Sequence, residues 1–412
     1  MENNYEEALA LHKELGGKLV VHSKVRANTK EALSLLYTPG VAAPCLKIAD
    51  SPDDSFVYTG RGNSVAVITD GSAVLGLGNI GPEAAMPVME GKCLLFNEFA
   101  GISAVPLCIG TQDVEEIIRF VQLVGPSYGG INLEDISGPR CFEIERRLRE
   151  SMDIPVFHDD QHGTAIVVLA GIINALKVVG KTKSAVRAVI NGGGAAGLSI
   201  ARLLLAYGLD DLVICDINGA IYDGADGLNP AQAAMARLTN KGCEKGELKD
   251  IIKGKDIFIG VSRGNVVSSD MIASMADGAI VFAMANPTPE IYPEKALAAG
   301  AAVVGSGRSD FPNQVNNVLV FPGIFRGAVD CRAADISEAM KLAAAEAIAA
   351  VAEEDGLRPD YILPDAFDRR VTINVAAAVA SKASDEGIAA SPVTWEQEAI
   401  RAKSFMNKVS DN

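Results

Sequence analysis

The stretch Asn191-Gly192-Gly193-Gly194-Ala195-Ala196-Gly197 follows an apolar, β-branched run at residues 185–190 and precedes a helical pattern at residues 198–207. Its glycines Gly192, Gly194 and Gly197 have the G-x-G-x-x-G spacing. Glycine is needed there because the backbone must turn tightly and let a pyrophosphate approach the N-terminus of the helix. The stretch therefore predicts a dinucleotide site in a doubly wound sheet, and a tight turn that uses glycine only for packing is the alternative.

Asp216 closes the next strand pattern, 19 positions after Gly197. An acidic side chain at this place binds the ribose hydroxyls of NAD and disfavours the 2′-phosphate of NADP. No arginine or lysine follows Asp216 before Arg237. The sequence therefore favours NAD over NADP.

Strand patterns alternate with helical patterns along most of the chain, which is typical of parallel α/β sheets. They lie at residues 64–68, 104–109, 130–133 and 154–157, and then at 185–190, 212–215, 256–261, 279–284 and 301–304. Alanine-rich amphipathic segments follow at 336–352 and 373–383. We predict an N-terminal α/β domain for substrate and metal (1–162), a Rossmann-type doubly wound dinucleotide-binding domain (163–385) and a C-terminal helical tail (386–412).

The composition is that of a soluble globular protein with more than one core. The chain has 412 residues, 49% of them hydrophobic and 22% charged. Its net charge of −15 argues against nucleic acid or an anionic membrane as a partner. Seven scattered cysteines without a Cys-x-x-Cys pair indicate reduced thiols, and residues 1–7 are no signal peptide. No apolar stretch reaches the roughly 20 residues that span a bilayer, so we expect a cytoplasmic protein.

Acidic residues follow two neighbouring strand patterns. Glu134 and Asp135 follow residues 130–133, and Asp159 and Asp160 follow residues 154–157. Because the carboxyl ends of parallel strands share one edge of a sheet, these oxygens should converge on a Mg²⁺ or Mn²⁺ site. A divalent cation beside a nicotinamide indicates oxidation of a small hydroxy acid that chelates the metal.

Other interpretations of these residues stay open. Asp160 could cap the helix that follows, and Glu134 with Asp135 could be an exposed loop pair. His158 and His162 have the i, i+4 spacing of zinc-binding helices. The segment reads His-Asp-Asp-Gln-His rather than His-Glu-x-x-His, which argues against a zinc protease.

Lys92 occupies a gap in the apolar stripe of a helix predicted at residues 82–100. A lysine turned toward an apolar interior has a lowered pKa and can act as a base, whereas a lysine that extends its ammonium to water keeps an ordinary pKa. Tyr37 precedes a Pro-Gly turn, and its local sequence indicates a structural tyrosine.

These motifs together resemble malic enzymes, in particular the short prokaryotic type, over nearly the whole chain. The matching segments are Tyr37-Thr38-Pro39-Gly40-Val41-Ala42, Thr69-Asp70-Gly71 with Leu75-Gly76-Leu77-Gly78, Glu90-Gly91-Lys92, Asn132-Leu133-Glu134-Asp135, Phe157-His158-Asp159-Asp160-Gln161-His162-Gly163-Thr164, Asn286-Pro287-Thr288-Pro289-Glu290 and the segment from Gly307-Arg308-Ser309-Asp310 to Asn316-Asn317. The chain ends at residue 412, so we expect none of the acetyltransferase-like extension of longer relatives.

The resemblance implies metal-dependent oxidative decarboxylation of L-malate to pyruvate and CO₂ with reduction of NAD or NADP, and decarboxylation of oxaloacetate. It assigns residues to roles as follows: Glu134, Asp135 and Asp160 hold Mg²⁺ or Mn²⁺; Lys92 is the general base, Tyr37 the general acid, and Asp159 tunes their protonation; Asn286 and Asn317 bind substrate; Gly192, Gly194, Ala195, Ala196, Gly197, Asp216 and Asn286 bind the cofactor. It also implies a homodimer or higher homo-oligomer, in which Tyr37 reaches the neighbouring subunit's site.

One position departs from the larger malic enzymes, which carry an arginine where this chain has Ala73. Another group must therefore neutralise the substrate, and the sequence does not identify it. The alternatives are a malolactic enzyme, which retains the cofactor and forms lactate, and a nucleotide-binding protein without catalytic activity.

Overall fold

The computed structural model describes residues 2–21, 23–74 and 76–410, and the side chains of residues 5–21, 23–74 and 76–407. Leu75, which belongs to one of the segments that resemble malic enzymes, lies outside the described residues, as do residues 411 and 412 of the predicted tail. Two β-sheets organise the described part of the chain.

The first sheet contains β1 (Ser64–Thr69), β2 (Ser103–Cys108), β3 (Gly130–Leu133) and β4 (Val156–His158). These strands are parallel and lie in the order β2-β1-β3-β4. The predicted strands of this region are confirmed, with small shifts at their ends. The helices around them are α1 (Glu2–Leu15), α2 (Lys30–Leu36), α3 (Ala42–Asp50), α4 (Ser55–Tyr58), α5 (Pro82–Ala100), α6 (Val114–Val124), α7 (Arg140–Ser151) and α8 (Asp159–Val179), with 3₁₀ turns at Pro52–Asp54, Gly60–Asn63 and Gly125–Ser127.

The second sheet is doubly wound, as predicted. Its strands are β5 (Arg187–Asn191), β6 (Asp211–Asp216), β7 (Gly219–Ala220), β8 (Ile257–Gly260), β9 (Ile280–Ala283) and β10 (Val303–Ser306). They lie in the order β10-β9-β8-β5-β6-β7, and only the short β6–β7 pair among them is antiparallel. The chain moves from β5 to β6 on one side and later to β8 on the other, so the end of β5 is the switch point where such sheets bind ligands.

Helices cover both faces of this sheet and form the C-terminal part. They are α9 (Ala195–Tyr207), α10 (Pro230–Ala236), α11 (Leu248–Ile251), α12 (Ser269–Ala273), α13 (Pro293–Ala298), α14 (Phe321–Asp330), α15 (Glu338–Glu354), α16 (Arg369–Asp385) and α17 (Trp395–Ser410), with a 3₁₀ turn at Asn317–Leu319. The amphipathic segments predicted at 336–352 and 373–383 correspond to α15 and α16. The division of the chain at residues 162 and 385 stays a prediction, and residue 162 lies in the first turn of α8.

Helix α8 is longer than predicted, and it corrects the expectation that no apolar stretch reaches the roughly 20 residues that span a bilayer. The prediction began this helix at residue 164, but α8 begins at Asp159 and has 21 residues. By length and by its mean hydropathy of 1.7, α8 could cross a bilayer. However, 78% of its most apolar 18-residue segment is buried inside the protein. Such burial is typical of the core helix of a globular protein.

An aromatic cluster connects the C-terminal part to the first sheet. Phe96 of α5 contacts Phe321 and Phe325 of α14, with ring centroids 4.7 and 5.3 Å apart. Phe325 in turn contacts Phe157 of β4 at 5.9 Å. These edge-to-face contacts fix α5 relative to the end of β4, where the predicted metal ligands begin.

A buried charged cluster attaches the last helix. Arg326 and Asp330 of α14 form a fully buried ion pair, with Arg326 Nε 2.8 Å from Asp330 Oδ2. Glu398 of α17 is fully buried beside Asp330. Burial and the Asp330 carboxylate raise the pKa of Glu398 to about 9.

We expect this raised pKa to make the protein less stable at alkaline pH. The folded state holds a proton on Glu398 that the unfolded chain releases near pH 4.3. The associated stability is therefore fully present below about pH 4.3 and is lost as the pH rises toward about 9.

Glu398→Gln should remove this dependence, so that the variant gains on the order of a few kcal/mol relative to wild type between pH 5.5 and pH 9. Urea unfolding at both pH values measures the difference, with exposed Glu396→Gln of the same helix as the control. A Glu398→Gln variant that tracks wild type across this range would contradict the account.

Candidate active site

The acidic residues predicted to hold a metal do converge at one edge of the first sheet. Strands β3 and β4 are parallel, and Leu133 pairs with His158, so the residues that follow leave the sheet side by side. Glu134, Asp135 and Asp160 each present a carboxylate oxygen, and these oxygens all lie within 4.8 Å of one another. The arrangement is that of three ligands around one cation.

The chemistry of these three residues fits Mg²⁺ or Mn²⁺, because all the ligand atoms are carboxylate oxygens. Desolvation raises the pKa of Asp160 to about 6, and the nearby Asp159 carboxylate adds to this shift while Lys92 opposes it. Burial also raises the pKa of Glu134. A divalent cation bound between these carboxylates would stabilise their charged form and so lower their raised pKa values.

Asp160 does not cap α8, which was its alternative role. Helix α8 begins after His158, and no side chain among the described residues caps its first turn. Asp160 Oδ2 instead accepts a hydrogen bond from the backbone N–H of Asp135, at 2.8 Å. This bond connects the loop after β3 to the first turn of α8. Asp135 has a φ of 53°, an uncommon left-handed conformation that aims its backbone N–H at Asp160.

Lys92 lies in the cluster with its ammonium group buried. Its Nζ is 2.5 Å from Asp159 Oδ2 and 2.9 Å from Glu134 Oε1, and it lies 4.0 Å from the centre of the Phe321 ring. The interior placement of Lys92 predicted from the helix pattern is therefore confirmed. The alternative, in which the ammonium extends to water, is excluded.

The expected direction of the Lys92 pKa, however, is wrong for these contacts. Burial lowers the pKa of Lys92, but the Asp159 and Glu134 carboxylates more than offset burial and raise it above its ordinary value. The helix pattern shows only the burial, because both carboxylates come from segments distant in sequence.

Asp159 contacts Lys92 and is not one of the three carboxylates grouped as possible metal ligands. Its Oδ2 accepts hydrogen bonds from Lys92 and from Asn317 Nδ2, both at 2.5 Å. Burial raises the pKa of Asp159 to about 7, with Glu134 adding to the shift and Lys92 opposing it. Asn317, predicted to bind substrate, is therefore brought to the site.

The group of possible metal ligands among the described residues contains carboxylates and no histidine, although His158 Nδ1 lies 3.7 Å from Asp160 Oδ2. His162 Nε2 contacts Glu145 Oε2 at 2.9 Å, and the backbone N–H of His158 donates to Glu145 Oε1 at 3.0 Å. Sequence reasoning missed Glu145, a buried acid of α7 that anchors both. Burial would raise the pKa of Glu145, but His162 and Lys341 lower it to about 2. The sequence signal that could have identified Glu145 is its position on the same helix face as the apolar residues Cys141, Ile144 and Leu148.

The glycine-rich loop has the close contacts that its sequence predicts. Gly192 has a φ of 143°, and a Cβ there would lie 2.6 Å from the Val261 carbonyl oxygen. A Cβ on Gly197 would lie 1.8 Å from the Gly192 carbonyl oxygen. Gly194 precedes α9 and faces open space, which leaves room for a phosphate at the helix N-terminus.

Asp216 lies beside this loop at the end of β6. A Cβ on Gly193 would be 2.9 Å from Asp216 Cβ. The missed residue here is Gln232, whose Nε2 donates to the Gly193 carbonyl oxygen at 3.1 Å and so supports the loop.

One cavity of about 830 Å³ joins these groups. Its lining includes Lys92, Asn317, the three clustered carboxylates and the loop from Gly194 to Gly197, with Ala195 and Ala196. Asn286 is exposed and follows β9 at the same edge of the second sheet as the loop, but it is not among the described lining residues. Tyr37 also lies outside this lining, with 66% of its side chain exposed.

Comparison with known proteins supports one family over the whole chain. Residues 17–149 match the family description "Malic enzyme, N-terminal domain", and residues 161–384 match "Malic enzyme, NAD binding domain". The chain is 55% identical over 399 residues to the bifunctional malic/malolactic enzyme of Bacillus subtilis (strain 168), with 97% of each chain covered. It is 53% identical over 375 residues to the NAD-dependent malic enzyme of Geobacillus stearothermophilus, covering 91% of this chain and 78% of that one.

The fold gives the same answer. The crystal structure of malic enzyme from Pyrococcus horikoshii Ot3 matches with a TM-score of 0.96 at 44% identity, and the match covers 99% of this chain and 96% of that chain. The resemblance stated from the sequence is thus confirmed, and the chain belongs to the malic enzyme family as an enzyme with an NAD-binding domain.

Proposed function

We propose that this enzyme oxidises and decarboxylates L-malate to pyruvate and CO₂, with Mg²⁺ or Mn²⁺ as cofactor and NAD as the preferred hydride acceptor, and that it also decarboxylates oxaloacetate. The observation that carries the proposal is the shared cavity. The carboxylate cluster, Lys92 and the glycine-rich loop all open into it, so that a chelated hydroxy acid and a nicotinamide would meet there.

Glu134, Asp135 and Asp160 would hold the divalent cation. When bound, it would supply a Lewis acid that acidifies the substrate hydroxyl and stabilises the charge that develops as CO₂ leaves. The cluster itself lies on ordered strand ends, and the Asn132 amide donates to Glu134 Oε2 at 2.7 Å. These supports keep the carboxylates in place before substrate arrives.

Lys92 is the proposed general base. It would take the proton of the C2 hydroxyl as hydride leaves C2 for the nicotinamide. Glu134 and Asp159 favour the protonated lysine, so neutralising the charge of Glu134 would move the pKa of Lys92 back toward the low range that burial favours. Asp159 remains in contact and orients the amine. Asn317 and Asn286 are the proposed substrate-binding amides.

Tyr37 is the proposed general acid, which protonates C3 after CO₂ leaves. It lies on a surface whose helices α2, α3 and α4 have no buried residues. Large apolar side chains are exposed there, among them Leu33, Leu35, Leu46 and Val57. Many exposed apolar side chains on successive helices are typical of a subunit interface. We therefore propose a homodimer in which Tyr37 serves the partner's cavity.

A malolactic reaction is the second candidate, because the Bacillus subtilis relative is a bifunctional malic/malolactic enzyme. Both reactions would use the same cavity. They differ in whether the reduced cofactor leaves or returns its hydride to pyruvate.

The direct test mixes purified protein, L-malate and Mn²⁺ with NAD or NADP, and follows reduced cofactor, pyruvate and lactate. Equal amounts of NADH and pyruvate, and loss of both when a chelator removes the metal, are expected. Lactate without net NADH would assign malolactic chemistry instead. No turnover with either cofactor would contradict both assignments.

Gly163→Ala should lower kcat by about 100-fold while the fold is kept, because misplacing a catalytic group by about 1 Å has that effect. A Cβ at this position would lie 1.9 Å from Asp159 Oδ1 and would displace the partner of Lys92. Steady-state kinetics measures the loss, and the thermal midpoint checks folding. Gly110→Ala, which has open space around its Cβ, is the control. Wild-type kcat in Gly163→Ala would show that the Asp159 position is unimportant.

Asp216→Ser should shift the ratio of kcat/KM for NAD over NADP toward NADP by about tenfold or more, since the repulsion of a 2′-phosphate is removed. The exposed Asp223→Ser of the following turn should leave the ratio as it is. An unchanged ratio in Asp216→Ser would remove the reason for favouring NAD.

Mixing subunits tests the shared site. Tyr37→Phe and Lys92→Ala homodimers should both be nearly inactive, but refolding them together should restore about a quarter of wild-type activity. Each mixed dimer then contains one complete site. Purification of the mixed dimers by two different tags measures this directly. Inactive mixed dimers would place Tyr37 at its own chain's site.

A further inference from the structure

The proposed cavity is rich in negative charge for a site that must take a dianion. Its described lining contains Glu134, Asp135 and Asp160, and its lysines or arginines are Lys92 and Lys18 alone. Lys92 is already engaged by two carboxylates, Glu134 and Asp159. Among the described lining residues, the ammonium of Lys18 is thus the lysine or arginine cation that remains to compensate a substrate carboxylate.

Lys18 lines the cavity and is held against α5 by two hydrogen bonds. Gly16 and Gly17, with φ of 65° and 119°, turn the backbone after α1. The backbone N–H of Lys18 then donates to Glu90 Oε2 at 3.2 Å, and its Nζ donates to the Pro87 carbonyl oxygen at 2.8 Å. Pro87 precedes Lys92 on α5 by five residues, or about 7.5 Å of helix rise.

The contacts leave Lys18 able to bind an anion. An ammonium group has three donors, and the Pro87 carbonyl uses one of them. No described carboxylate forms a salt bridge with Lys18 Nζ; the Glu90 contact is to its backbone. Its side chain is only partly buried, so substrate can reach it. Ala73 lines the same cavity and offers no charge.

We propose that Lys18 binds the carboxylate of L-malate that is retained in pyruvate. The retained carboxylate is the consistent partner, because a cation paired with the leaving carboxylate would stabilise it against loss of CO₂. This inference rests on the proposed function, which it deepens by naming a substrate-binding residue.

The test compares wild type, Lys18→Met, Lys18→Arg and the exposed Lys13→Met of α1. Lys18→Met should raise the KM for L-malate by about tenfold to a hundredfold, the effect of losing a charged hydrogen bond, with a much smaller change in kcat. Inhibition by pyruvate should weaken by a similar factor, while the KM for NAD stays the same. Lys18→Arg should recover most of the loss, and Lys13→Met should behave as wild type.

Pyruvate binding to the enzyme with NADH and Mn²⁺, followed by NADH fluorescence, gives the same comparison without turnover. Unchanged malate KM in Lys18→Met, or unchanged pyruvate affinity, would overturn the proposal. An equal rise in the KM for NAD with a lowered thermal midpoint would also overturn it, since Lys18 would then only fasten the N-terminal segment. Absence of malate turnover in wild type would instead refute the proposed function itself.

Discussion

The close approach of four carboxylates to one lysine is the constraint on which the site depends. Glu134 and Asp159 contact Lys92 directly, and Asp135 and Asp160 lie beside Glu134. Buried like charges repel strongly unless protons, a lysine or a cation compensate them. Burial is the main cause of the raised pKa values of Asp159 and Asp160, about 7 and 6, and the neighbouring carboxylates add to it.

Those elements come from distant parts of the chain. Parallel pairing of β3 with β4 brings the acids together, and α5 carries Lys92 across them. Helix α14 packs against the cluster through Phe321, whose ring contacts the ammonium of Lys92 and the ring of Phe96. The glycine-rich loop of the second sheet faces the same cavity. The proposed hydride transfer therefore depends on the two sheets lining one cavity, which places the substrate site next to the cofactor site.

The sequence predicted the features that depend on local pattern. The strand runs, the glycine spacing at Gly192 to Gly197 and the buried position of Lys92 on its helix all follow from neighbouring residues. Helix α14 was missed because Pro322, Gly323 and Gly327 are residues of low helix propensity.

Interactions between segments that are distant in sequence could not be predicted from local sequence patterns. The direction of the Lys92 pKa depends on acids that follow two later strands, and Glu145 contacts histidines at the end of β4 and in the first turn of α8. The role of Tyr37 depends on a surface rather than on its neighbours in sequence. The assigned site residues remain proposals that the kinetic variants test.

The most direct measurement of the central claim is Mn²⁺ binding with simultaneous proton release. Calorimetric titration in buffers of different ionisation enthalpy would give both, for wild type and for Lys92→Met. We expect about one Mn²⁺ per chain, displacing protons from the carboxylate cluster and Lys92, with fewer protons released in the variant. Saturable binding should be lost in Asp135→Asn or Asp160→Asn. Binding without proton release, or no saturable binding, would contradict the claim that one cation and one lysine proton compensate the same buried charge.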